Sequence, residues 1–123
     1  SNKILAFSKA LLEANPDEAL IGASSSYGQA PVGLGILGGG TMLAVANSNR
    51  YNTSSDAVGN LAILDIRNPK KMKLVKTLKA RQFPRDINIG NDGKTIYLAN
   101  FGNYGPTPLN SGIGVYTVNL INK

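Results

Sequence analysis

The sequence contains neither cysteine nor histidine. Without them the chain cannot form a disulfide, hold a metal through thiolate or imidazole, or assemble a Ser-His-Asp triad or a Cys-His pair. Carboxylates are scarce as well: Glu13, Asp17, Glu18, Asp56, Asp65, Asp86 and Asp92 are the whole set. Any acid or base chemistry must draw on these few groups. No apolar run approaches the roughly 20 residues that a membrane helix needs, and the first residues lack the charged and apolar regions of a signal peptide. Neither a membrane partner nor a cofactor or metal is expected.

What is present fits one core. The chain has 123 residues, 42% of them hydrophobic, enough for a single unit. Its net charge of +6 is concentrated in Arg67, Lys70, Lys71, Lys73, Lys76, Lys79, Arg81, Arg85 and Lys94. Such a stretch could meet an acidic protein surface or a phosphate, but the ordinary reading is a solvated edge strand that lysines keep from aggregating. Nucleic acid is not expected, because only Phe83 interleaves aromatic character with these cations.

An internal repeat organises the chain. Gln29-Ala30-Pro31-Val32-Gly33-Leu34-Gly35-Ile36 returns as Gln82-Phe83-Pro84-Arg85-Asp86-Ile87-Asn88-Ile89, an offset of 53 from Pro31 to Pro84. The same offset aligns Gly38-Gly39-Gly40-Thr41 with Asn91-Asp92-Gly93-Lys94, and Ala44-Val45-Ala46-Asn47 with Tyr97-Leu98-Ala99-Asn100. With one inserted residue, Leu61-Ala62-Ile63-Leu64-Asp65-Ile66 aligns with Val115-Tyr116-Thr117-Val118-Asn119-Leu120, at an offset of 54.

Each repeat divides into short strands, designated a to d. Residues 32–37 and 85–90 alternate apolar with small or polar side chains, as strands with one packed face do. Residues 41–46 and 94–99 are richer in apolar and β-branched residues and suit strands buried on both faces. Gly40 and Gly93 fall in register between them, where a hairpin needs a positive φ. A third strand is expected at 60–66 and 113–120 and a fourth at 73–79. Ile4–Phe7 and Ala19–Ser24 resemble strands c and d of an earlier unit. Residues 8–18 fit either a helical turn with Ser8 as N-cap or an ordinary connection.

The strand order is therefore c,d, then a,b,c,d, then a,b,c: an all-β, β-propeller segment of four-stranded antiparallel blades that is not a closed ring by itself. Its parts are 1–27, the end of a preceding blade; 28–79, repeat 1; and 80–123, repeat 2. The remaining blades of a parent protein, or further copies of this chain, are the expected partners for its flanks.

The motifs carry a family resemblance. Pro84-Arg85-Asp86-Ile87-Asn88-Ile89 followed by Asn91-Asp92-Gly93-Lys94-Thr95-Ile96-Tyr97-Leu98-Ala99-Asn100 resembles the repeat of YVTN-type β-propellers and of the related seven-bladed, lactonase-like propellers. Ala30-Pro31-Val32-Gly33 with Leu43-Ala44-Val45-Ala46-Asn47-Ser48 is similar, with the turn changed. The resemblance spans about residues 28–120 and implies an extracytoplasmic setting. It implies little about activity, since one scaffold hosts many tasks.

Up-and-down strands sort the connections onto two rims. The d-to-a and b-to-c connections share one, which receives Tyr27–Pro31, Arg81–Arg85 and two long loops, Ser48–Asp56 and Phe101–Asn110. Long loops on a rigid scaffold are where binding concentrates. Arg85 opens an innermost strand, where a guanidinium can fork onto a carboxylate or phosphate. It matches the arginine after proline in the lactonase-like propellers, and the resemblance implies a place near their substrate funnel. An ion pair with Asp86 or with a neighbouring blade is the structural alternative. Arg50, Tyr51, Tyr104 and Arg81 complete the candidate ligand contacts, with Arg50 and Tyr51 equally readable as a solvent-exposed loop pair. Asn47 and Asn100 end strand b in both repeats and suit turn capping. Asp65 and Asn119 fit a role as outer-strand punctuation, and Asn52-Thr53-Ser54 matches a glycosylation acceptor.

The expected function is that of a non-catalytic binding or interaction propeller whose rim takes an anionic small molecule or an acidic surface. The alternative is part of a lactonase-like hydrolase acting on a sugar-acid lactone or similar anion, which would need a general base and cations for the oxyanion. No catalytic residue is assigned. Alternation along a strand sends Arg85 and Asp86 to opposite faces, so they do not form one catalytic unit.

Overall fold

The computed structural model describes residues 2–102 and 111–121. Over these residues the chain is nearly all-β, folded as three separate antiparallel sheets of two, four and three strands that do not close into a barrel. The first sheet pairs β1 (Lys3–Phe7) with β2 (Leu20–Ser25). The second has the order β3 (Pro31–Leu37), β4 (Met42–Asn47), β5 (Asn60–Asp65) and β6 (Lys73–Lys79). The third has β7 (Pro84–Ile89), β8 (Thr95–Asn100) and β9 (Gly112–Thr117) in sequence order. This matches the order c,d / a,b,c,d / a,b,c and fits an open, propeller-like segment.

Local chemistry accounts for the connections. Of the two readings of residues 8–18, the helical one holds: α1 (Lys9–Ala14) begins where the Ser8 hydroxyl accepts from the Leu11 N–H at 3.2 Å. A 3₁₀ turn, Pro16–Glu18, then leads into β2. The two a-to-b hairpins turn through Gly40 and Gly93, with φ of 95° and 70°. They also touch: the Gly38 N–H donates to the Gly93 carbonyl at 2.9 Å, joining successive sheets at their turns.

The sheets stack through two apolar layers. Ile4 meets Leu43, Val45, Ala62 and Leu64 between the first and second sheets. Met42, Ala44, Ala46, Leu61 and Ile63 meet Ile96 and Leu98 between the second and third. Strand β4 is thus buried along its whole length, as expected of a strand covered on both faces. The expectation fails for its counterpart β8, where Tyr97 is 44% exposed because, among the described residues, no sheet covers the outer side of the third sheet. Leu34 and Ile36 of β3 are exposed for a related reason: the first sheet offers only its two strands to the face they line. The lysine-rich strand β6 forms an outer edge of its sheet, where Lys73, Lys76 and Lys79 deter pairing with another chain.

Strand register corrects the repeat alignment in strand c. Ala46 pairs with Leu61, and its equivalent Ala99 pairs with Ile113. Leu61 therefore corresponds to Ile113, not Val115, and Asp65 to Thr117, not Asn119. The second b-to-c connection is one residue shorter than the first, where an insertion was expected, and β9 ends at Thr117 instead of reaching residue 120.

Candidate functional site

Proline begins both inner strands and sets the local geometry of the rim. Pro31 pairs with Asn47 and Gly33 with Ala46, leaving Val32 as an extra residue; Pro84 pairs with Asn100 and Asp86 with Ala99, leaving Arg85 as the extra one. Arg85 and Val32 therefore sit at equivalent β-bulges, a device that re-aims a side chain. The bulge also removes the basis for placing Arg85 and Asp86 on opposite faces, since regular alternation breaks between them; both are exposed. Neither side chain bonds the other. Arg85 has no hydrogen bond or ion pair among the described residues, and the Asp86 carboxylate accepts from the Ile87 N–H at 2.8 Å.

The residues ahead of the two prolines share an uncommon backbone. Ala30 and Phe83 have φ of 53° and 49°, in the left-handed region. Each accepts from the strand-b end beside it: Ser48 N–H to the Ala30 carbonyl and Phe101 N–H to the Phe83 carbonyl, both at 2.9 Å. Asn49 and Gly102 follow, again with positive φ, and donate to the carbonyls of Gln29 and Gln82. The same knot thus ties the d-to-a connection to the b-to-c loop in both repeats. The sequence signal for it was the repeated Gln-x-Pro; the positive φ at x had none.

Buried amides hold the knot in place. Asn47 Nδ2 donates to the Ser26 carbonyl and to Asn60 Oδ1, each at 2.8 Å, while Asn60 Nδ2 donates to the Tyr27 carbonyl at 2.8 Å. Asn100 Nδ2 donates to the carbonyls of Leu98 and Gly112 at 3.2 Å. Both asparagines act as strand-end caps. Gln82 Nε2 reaches across to the Ser55 carbonyl at 2.6 Å, fastening the first long loop. Gly28, Gln29, Asn47, Asn49, Val58, Gly59 and Asn60 line an open pocket of about 140 Å³ on this rim.

The remaining site candidates take different places. Arg50 donates from Nη2 to the Tyr51 hydroxyl at 2.8 Å and lies 4.9 Å from the ring centroid, so the two engage each other. Both are exposed, and no described contact joins them to Arg85. Arg81 Nη1 donates to the Ser111 carbonyl at 2.9 Å and anchors the end of the second loop. Beside it, burial pushes the Tyr116 phenol above its ordinary pKa, and Arg81 pulls the other way. Tyr104 lies outside the described residues.

Hydrogen bonds weaken three of the carboxylates as bases. On the rim, a hydrogen bond from the Ser54 hydroxyl, with help from the backbone, holds the Asp56 carboxyl below its ordinary pKa, which weakens it as a base. On the opposite rim, Asp65 is pulled down to about 2 by hydrogen bonds from Arg67, with the closest contact at 2.7 Å. Asp92 is likewise pulled down to about 2, by the Thr95 hydroxyl and the backbone N–H groups of Lys94 and Thr95. No group of three carboxylates placed to hold a metal occurs among the described residues. Among those residues, no helix is long and apolar enough to cross a membrane. Comparison with family models, with curated proteins and with solved structures returns no match for this chain.

Proposed function

We propose that the chain is a segment of a YVTN-type β-propeller that binds a ligand without catalysis, on the rim built from its d-to-a and b-to-c connections. The observation that carries this reading is Arg85: an exposed guanidinium at a bulge, on a braced rim, with no hydrogen bond or ion pair among the described residues. Its counterpart Val32 occupies the same bulge, so the fold does not call for a cation there. A free guanidinium suits a small carboxylate or phosphate. Arg50, already engaged with Tyr51, and Arg81, engaged with Ser111, are secondary contacts at most. Asp56, one of two rim carboxylates with Asp86, is a weakened base for the lactonase-like alternative, because Ser54 lowers its pKa.

Titration with acetate, gluconate and inorganic phosphate, followed by backbone amide shifts, tests the reading. Saturable shifts around residues 82–86 are expected, and they should vanish in Arg85→Gln. Shifts that persist unchanged in that variant would remove Arg85 as the contact. Opening of a sugar-acid lactone above the uncatalysed rate would favour the hydrolase alternative instead.

A further inference from the structure

Strand β6 is the outer edge of a sheet that already has its four strands, and the third sheet follows it in the chain, so its unpaired side belongs to the repeat itself. The Tyr116 hydroxyl donates to the Lys79 carbonyl at the end of β6, at 3.1 Å. Among the described residues, no other hydrogen bond reaches the strand from outside its own sheet. A row of free backbone N–H and C=O groups is a template for one more strand. Leu74 and Val75 are exposed there as well.

The charge on this edge is of one sign. Lys73, Lys76 and Lys79 are exposed, and so are Lys70 and Lys71 in the turn just ahead. Asp65, the residue across from Lys73 in the ladder, is held by Arg67 at 2.7 Å. The ladder also fixes where the cations stand. Leu74 lies opposite Leu64 and Lys76 opposite Ile63, which leaves Val75 as a bulge. Lys73 and Lys76 therefore share a face, and Lys79, opposite Asn60, takes the other. The fold does not call for this charge: β2, the strand of the same rank in the first sheet, runs Leu20-Ile21-Gly22-Ala23-Ser24-Ser25, without an ionisable side chain.

We infer that β6 takes an acidic, extended segment of another protein as an added strand. Main-chain bonds hold such a strand, and flanking side chains select it. Lysines at the edge repel a second copy of this chain, which arrives with the same sign, and attract a strand of carboxylates. Among the described strands none has more than one carboxylate, Asp65 in β5 and Asp86 in β7, so a copy does not supply the complement. Cations on both faces of β6 call for carboxylates on both faces of the partner, which is therefore acidic throughout and not amphipathic. The inference does not rest on what Arg85 contacts.

Fluorescence anisotropy with a labelled decapeptide of glutamate and valine, carrying glutamates on both faces, tests it on the 123-residue chain, with amide hydrogen exchange followed over residues 73–79. Saturable binding is expected, weaker in high salt, together with slowed exchange in β6. Lys73→Gln, Lys76→Gln and Lys79→Gln should each weaken binding roughly two- to fivefold, the worth of an exposed ion pair. All three positions are exposed, and circular dichroism verifies that each variant folds. A second peptide, with proline in place of valine, keeps the charge but cannot pair as a strand, so it should bind far more weakly to the parent chain. That comparison stands even if a variant does not fold. Absence of saturable binding, equal binding of the two peptides, unchanged exchange in β6, or unchanged affinity in all three variants would each overturn the inference. So would tighter binding of oligothymidylate than of the glutamate peptide, which would make the edge a nucleic-acid surface.

Discussion

Ala30 and Phe83 occupy one and the same left-handed backbone position, each directly ahead of the proline that starts an inner strand. A residue before proline favours extended backbone, and a side chain opposes positive φ, so both positions hold strain. The strain recurs because each carbonyl is needed by the end of strand b. Replacing Ala30 with glycine keeps that bond and removes the opposing Cβ. The variant should be more stable by about 0.5–1 kcal/mol, the left-handed penalty less the greater chain entropy of glycine. Urea unfolding measures it, and a loss of stability would contradict the strain.

Gly59 sits where the rim is most crowded. A Cβ there would overlap the Asn47 carbonyl and come within 2.6 Å of Pro84 Cδ. A backbone oxygen and a proline ring yield little, so Gly59→Ala should cost about 3 kcal/mol, near the upper end for overpacking. Urea midpoints should fall accordingly.

Asn47 should discriminate sharply between substitutions. Its Nδ2 serves two acceptors, while its Oδ1 is buried without a partner among the described residues. Asn47→Ala strands those two acceptors, at about 1–3 kcal/mol. Asn47→Asp should be worse than alanine, since it sets a buried carboxylate against the Ser26 carbonyl and Asn60 Oδ1 with no donor between them. Equal stability of the two variants would show that Nδ2 is not the working atom.

Acid should weaken the protein in a defined window. Asp65 and Asp92 titrate near 2 in the folded state, below the ordinary 3.8. Each depressed pKa contributes stability above about 4 that is lost as pH falls toward 2. Asp92 is exposed and Asp65 is half-buried beside the exposed Arg67, so the effect is modest, and the part due to the Arg67 pair should shrink in high salt. Urea midpoints between pH 5 and 2 should fall less steeply in Asp65→Asn and Asp92→Asn than in the parent chain.

Strand order and the hairpins at Gly40 and Gly93 were legible because periodicity and turn chemistry are local, whereas the Ser8 N-cap was one of two readings that residues 8–18 left open. Strand c was misaligned because Val115-Tyr116-Thr117 alternates as convincingly as Gly112-Ile113-Gly114, and only cross-strand bonding selects the register. The bulges at Val32 and Arg85 leave no mark in composition, being consequences of how Pro31 and Pro84 meet Asn47 and Asn100. Tyr97 misled for another reason: its burial depends on a neighbour that strand pattern alone does not supply. Of the candidate contacts, Arg85 kept its availability, whereas Arg50 and Arg81 proved to be engaged locally, which residue type cannot reveal.

The bond between the Gly38 amide and the Gly93 carbonyl spans two sheets at their a-to-b turns. A turn amide at the surface ordinarily exchanges its hydrogen with water quickly, whereas this one is released only when the two sheets part at that end. Its exchange rate is therefore a hinge gauge: a single resonance that reports how often neighbouring sheets gape, separately from the fraying of either sheet on its own.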